Sequence, residues 1–127
     1  MSESCTRGIR IAVRPQYMAE QSSPEQDRYL FTYFITIANE SNDTVQLRSR
    51  HWVITNGEGH TEEVQGPGVV GEQPTLQPGE VYEYNSFCPL NTAVGTMQGS
   101  FRMRTEDGDE FDARIEVFRL AVSQHLH

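Results

Sequence analysis

Hydrophobic and polar residues alternate with period two through nearly the whole chain, and Pro, Gly, Asn and Asp break the alternation at short intervals. Alternation of that period puts successive side chains on opposite faces of an extended strand. The pattern therefore predicts an all-β immunoglobulin-like or fibronectin type III-like sandwich of about seven antiparallel strands, with helices nearly absent. The first strand spans 8–17, with Ile9, Ile11 and Val13 on one face, Arg10 and Arg14 opposite, and Pro15 marking an edge because it has no N–H to donate. Residues 21–27 are a polar loop. The segment 29–39 is the strongest strand, with Tyr29, Phe31, Tyr33, Ile35 and Ile37 on one face, and is predicted to be central.

After a turn at Glu40-Ser41-Asn42-Asp43, the segment 45–55 is expected to return antiparallel to the preceding strand. Its faces compete: Leu47 and Val53 share one, Trp52 and Ile54 the other. Burying an indole removes more apolar area than burying one Val, so Trp52 and Ile54 are placed inward. Arg50 then points toward the core edge and needs an acid or carbonyl partner. Asn56-Gly57 turns into a short strand at 61–65, which ends at a glycine loop. Pro78-Gly79 precedes a strand at 81–87, with Val81 and the Tyr82/Tyr84 pair on opposite faces. A closing hairpin about Asp107-Gly108 joins 95–105, with Met97, Phe101 and Met103 aligned, to 110–120, with Phe111, Ala113, Ile115 and Val117 aligned.

With 127 residues the chain fits one domain, with a core at about 9–120 and loose tails. Ten Arg, no Lys and a net charge of −8 disfavour nucleic acid or an anionic membrane as partner. The polar N-terminus lacks the apolar run of a secretory signal, which points to the cytoplasm. There a Cys5–Cys88 disulfide is not expected: Cys88 reads as a small buried residue and Cys5 as a frayed one.

Four stretches carry a family resemblance: Ser49-Arg50-His51-Trp52-Val53-Ile54, the block from Glu63 through Gly66-Pro67-Gly68-Val69-Val70-Gly71 to Pro74, Leu76-Gln77-Pro78-Gly79-Glu80, and Gly95-Thr96-Met97-Gln98-Gly99-Ser100-Phe101. Together they resemble the bacterial ApaG family from about Ile9 to Leu120. The resemblance implies a fibronectin type III-like sandwich standing alone in the bacterial cytoplasm, associated with cobalt tolerance and magnesium efflux. Similar domains appended to eukaryotic F-box and polymerase-interacting proteins imply an interaction module.

Gly66-x-Gly68-x-x-Gly71 has the spacing of a dinucleotide fingerprint, but Pro67, Pro74 and Pro78 and the all-β surroundings remove the helix that a pyrophosphate pocket needs. A loop of backbone N–H groups with Arg48 and Arg50 beside it remains an alternative site for a nucleotide or pyrophosphate. His51, His60, Glu58, Glu62, Glu63 and the tail pair His125 and His127 lack the spacing of a structural metal site, and no metal or cofactor is assigned. No spacing singles out a nucleophile with its base, and the acidic group Glu106, Asp107, Asp109 and Glu110 reads as a solvated turn. A non-enzymatic protein-binding surface built on Arg50, Trp52, Gly66, Gly68 and Gly71 is the leading expectation, with a protein partner and either a monomer or a homodimer.

Overall fold

The computed structural model describes residues 2–122, and the pair His125 and His127 lies outside them. Nine strands follow in order: β1 Ser2–Thr6, β2 Ile9–Tyr17, β3 Tyr29–Asn39, β4 Val45–Asn56, β5 Thr61–Pro67, β6 Thr75–Leu76, β7 Val81–Leu90, β8 Val94–Thr105 and β9 Glu110–Ala121. Single 3-10 turns at Ala19–Gln21 and Pro24–Gln26 interrupt the polar loop before β3. One sheet runs β1-β2-β3-β7 and the other β5-β4-β8-β9, with β6 added alongside β4, and all pairs are antiparallel. The two sheets form the expected sandwich. Its core is the set of inward positions, among them Ile9, Ile11, Val13, Phe31, Ile35, Ile37, Phe101, Met103 and Leu120.

Strand β3 is central, as its two apolar faces require, but β4 is not its partner. The chain crosses from one sheet to the other after β3, and β4 pairs with β5, β6 and β8. Asn39 anchors that crossing: its buried side-chain Nδ2 donates to the carbonyls of Asp43 at 2.7 Å and Leu76 at 2.9 Å, and its Oδ1 accepts from Ser41 N and Oγ. Burying the amide is tolerated because both ends are satisfied.

The competing faces of β4 are both real. A β-bulge between Leu47 and Ser49 inserts Arg48 as an extra residue, so Val45 and Leu47 face the core before it and Trp52 faces the core after it. Arg50 therefore shares the inward side with Trp52. A second register shift, between Met97 and Gly99 on β8, matches an extra residue on β9 at Glu116 and Val117. It corrects the expected alignment: Val117 is 47% exposed, while Phe118 and Leu120 take over the inward frame.

The N-terminal segment is not a loose tail but strand β1, joined to β2 through Arg7 and Gly8, both at positive φ. Its alternating hydroxyls serve as hydrogen-bonding groups rather than as core. Ser2 Oγ donates to Glu116 O, Ser4 Oγ to Arg114 O, and Thr6 Oγ1 accepts from Arg114 N at 3.2 Å, so β1 closes the outer edge of β9. Beyond Val13 no β1 residue covers β2, and Pro15 sits in that uncovered stretch, where a missing N–H costs no ladder bond. At the other terminus Ala121 is buried at the end of β9 and is not part of a tail.

Gly99 shows how closely β4 and β8 approach. A Cβ built there would lie 1.9 Å from the carbonyl oxygen of His51, a backbone atom that cannot turn aside. We expect Gly99→Ala to cost about 3 kcal/mol in urea unfolding, the scale of overpacking a rigid site, and Gln98→Ala next to it to stay within about 0.5 kcal/mol. A Gly99→Ala protein as stable as the parent would show that the two strands separate more easily than this packing allows.

Candidate functional site

Four of the five residues singled out in the sequence come together on one structure, the junction of β4 with the 66–71 loop. The bulge directs the carbonyl of Arg48 to the loop: it accepts from Gly68 N at 2.9 Å and from Gln73 Nε2 at 2.7 Å, while Leu47 N donates to Pro74 O at 3.0 Å. Two residues further along the same strand, Arg50 lies opposite Gly66 in the ladder. Its guanidinium crosses the Gly66 backbone, where a Cβ would stand only 3.0 Å from both Nη atoms. Nη1 then donates to Pro67 O at 3.0 Å and Gly68 O at 3.1 Å, the carbonyl partners that an inward Arg50 requires.

The loop itself is a miniature hairpin. Val69 and Glu72 exchange backbone bonds of 2.8 and 2.9 Å around Val70 and Gly71, which both have positive φ. A two-residue turn with both central φ positive matches the twist of antiparallel strands. Gly71 occupies open space and serves for its φ of 84°, whereas Gly68, at φ 61°, is required twice over because a Cβ there would meet Glu72 O at 2.2 Å. Val69 is fully buried and nails the loop to the core; Val70, a β-branched residue at φ 41°, is 55% exposed at the tip. A β-branched side chain rarely adopts that conformation, which costs of the order of 1 kcal/mol or more.

This geometry differs from an anion nest. The N–H groups of Gly68, Val69 and Glu72 are spent on Arg48 O, Glu72 O and Val69 O, and the loop turns two carbonyls, not amides, toward Arg50. Arg48 points elsewhere, with Nη1 on Gln46 Oε1 at 3.1 Å. Trp52, the fifth residue, is 3% exposed and packs edge-on against Tyr33, Phe101 and Phe118, with centroids 5.4, 6.2 and 6.0 Å away. It is a core residue that forms the floor of the site, not a contact at its surface.

What the sequence did not single out is the opposite wall. Along one side the sandwich is closed by β1 over β9, but β5 and β7, the outer strands on the other side, leave a cleft of about 240 Å³. Tyr33, Arg50, Trp52, Val64, Ser86 and Phe87 line it, together with Glu62 and Cys88. Phe87 is 53% exposed, and the only hint of it in the sequence is an aromatic on the outward side of a strand whose tyrosines are half-buried. A wider depression of about 480 Å³ on the outer face of the other sheet is polar and holds paired groups, Arg102 Nε to Asp112 at 3.1 Å and, at its rim, His51 Nε2 to Glu63 at 2.7 Å. Among the described residues no group of three or more His, Cys, Asp or Glu side chains is placed to hold a metal ion, and no helix is long and apolar enough to cross a membrane.

Burial dominates the titration of the groups around the cleft. It pushes the Cys88 thiol up to about 12, with a smaller contribution from Glu62, and raises the phenols of Tyr84 and Tyr33, an effect that the nearby Arg50 charge partly offsets in both. Raised values mean that the unfolded chain loses these protons first as pH rises, so the native state binds more protons and stability falls with pH. We expect unfolding free energy to decline from about pH 9 toward pH 12, by up to about 1.4 kcal/mol per pH unit for each group. Denaturation midpoints across that range check it: Cys88→Ala should flatten the slope by about one proton, and an unchanged slope would place the thiol in water.

The comparisons with known proteins fall on the same residues. A model of the ApaG domain matches residues 19–105, which include β4, the glycine loop and β7. The chain is 51% identical over 124 residues to Protein ApaG of Brucella anthropi, covering 98% of this chain and 95% of that one, and 55% identical over 119 residues to Protein ApaG of Azotobacter vinelandii, covering 94% of each. Among solved structures it is similar to a putative ApaA protein from Bordetella pertussis, with a TM-score of 0.86 and 45% identity over 94% of both chains. A domain model that matches most of the chain, and relatives about half identical to it over nearly its whole length, show that the chain belongs to the ApaG family.

Proposed function

We propose that the protein is a non-catalytic, cytoplasmic interaction domain, and that its partner is a protein docking at the cleft between β5 and β7. The observation that carries this reading is the asymmetry of the two sides. One pair of outer strands is closed by a ladder of hydroxyls from β1, whereas the other leaves backbone groups, an exposed Phe87 and a half-buried Arg50 facing a common opening. Open strand edges invite pairing with another chain, and proteins that keep one generally use it or blunt it. The strained, exposed Val70 adds an aliphatic contact at one end of the same side, since Glu72 beside it is near enough to Tyr82 to raise that phenol further, after burial.

The alternative, a nucleotide or pyrophosphate held by the 66–71 loop, is favoured less by the geometry, because the loop offers carbonyls to Arg50 and spends the amides of Gly68, Val69 and Glu72 on backbone carbonyls. In the leading reading, the association with cobalt tolerance and magnesium efflux runs through the partner that occupies the cleft. A photo-crosslinking amino acid placed at Phe87 should give covalent protein adducts in the native host, and the same residue at Gln98, exposed on the other sheet, should give severalfold fewer. Adducts of equal yield from both positions, or from Gln98 alone, would remove the cleft as the docking site.

A further inference from the structure

Arg50 is the point where the cleft becomes chemically selective. It is the one guanidinium in the cleft lining, and among the described residues no carboxylate lies within 4.0 Å of it. Its Nη1 is committed to the two loop carbonyls, whereas Nε and Nη2 donate to no acceptor among the described residues. Trp52, Val64 and Tyr33 line the cleft together with Arg50. A guanidinium against apolar walls loses part of its hydration, and carbonyl dipoles return only part of that cost, so a carboxylate arriving there makes a charge-assisted bond at an already oriented donor.

The backbone of β7 supplies the second half of the site. Asn39 N donates to Glu80 O at 3.0 Å, which fixes the hydrogen-bonded pairs with β3 at the even-numbered β7 residues. The N–H groups of Val81, Glu83, Asn85 and Phe87 therefore point away from β3, along the open edge, and Pro89 ends the row because it has none. An extended chain laid beside Asn85 and Phe87 pairs with this edge while its end reaches Arg50 next to Ser86. Size decides what that end is: about 240 Å³ lies below the roughly 300–1,000 Å³ of sites for whole small molecules. Glu62, in the same lining, weighs more heavily against a polyanion such as a nucleotide than against a single carboxylate.

We propose, resting on the docking reading above, that the cleft recognises the C-terminal carboxylate of an extended, apolar peptide, with Arg50 Nε and Nη2 on the carboxylate, the last side chain against Val64 and Trp52, and the peptide backbone added to the edge of β7 beside the exposed Phe87. Arg50 is the specificity-determining residue. The loop that clamps its Nη1 is a positioning element, and Gly66 is required because a side chain there would displace the guanidinium.

The test uses acetyl-Val-Thr-Val-Phe with a free C-terminus, the same peptide as its C-terminal amide, and sodium pyrophosphate, each titrated into the full-length protein and followed by residue-resolved NMR. The free acid should shift the amides of Ser86, Phe87 and Gly66 and the Trp52 indole saturably, and bind at least about tenfold more tightly than the amide, a difference of about 1.4 kcal/mol. Arg50→Gln should erase that difference. Phe87→Ala, a change at an exposed side chain, should weaken both peptides alike, so the proposal stays testable if Arg50→Gln does not fold. Equal binding of acid and amide at the cleft would overturn the carboxylate assignment while leaving a docking cleft. Pyrophosphate shifting the same residues more strongly, or no shift there with any probe, would overturn it outright; the crosslinking yields at Phe87 then judge the docking reading separately.

Discussion

The extra residue in β4 is the constraint on which the rest of the site depends. Without a bulge at Arg48, a strand of period two could bury Leu47 or Trp52 but not both, and Arg50, two residues from Trp52, would follow the indole to whichever face it took. With it, Val45, Leu47 and Trp52 all reach the core and Arg50 enters on the inward side. A bulge directs one carbonyl away from the ladder, and here the glycine loop takes it: Gly68 N and the Gln73 side chain both donate to Arg48 O. The loop then returns two of its own carbonyls to Arg50. Bulge, loop and guanidinium satisfy one another, so none of the three is stable in this form alone.

That mutual lock gives each glycine of the 66–71 spacing a structural reason. Gly66 leaves room for a guanidinium, Gly68 for the carbonyl of Glu72, and Gly71 provides the second positive φ of a two-residue turn. Each requirement is steric or conformational, and the dinucleotide-like pattern follows from them. The lock also fixes where charge enters the sandwich: one cation at the mouth of the side that no strand closes. The opposite side is closed by Ser2, Ser4 and Thr6, whose hydroxyls bond the backbone of β9 without adding an apolar residue to the core.

Features carried by side-chain alternation within one strand were legible in the sequence: the two-faced centrality of β3, the inward Trp52, the need of Arg50 for an acid or carbonyl partner, and the C-terminal hairpin up to Ile115. Features that depend on which strand lies next to which were not. The crossing after β3 and the partnership of β4 with β8 are decided by the packing of whole sheets, and the turn at 40–43 looks like any hairpin turn. Bulges break the period of two, so alternation alone puts Val117 inward and omits Phe118. Strand β1 lacked any apolar signal because its contribution is hydrogen bonding. Phe87 belongs to a cleft formed by residues far apart in the chain, Val64 and Arg50 on one wall and Ser86 on the other.

One side of the sandwich is closed and the other open, and native-state hydrogen exchange of edge amides reads that difference. The Arg114 N–H, which points from β9 to Thr6 Oγ1, should exchange at a rate governed by opening of the sheet. The amides of Glu83, Asn85 and Phe87, which point away from β3, should exchange orders of magnitude faster in the isolated protein. Equal, strong protection at both edges would contradict the account, because it would mean that something already covers β7.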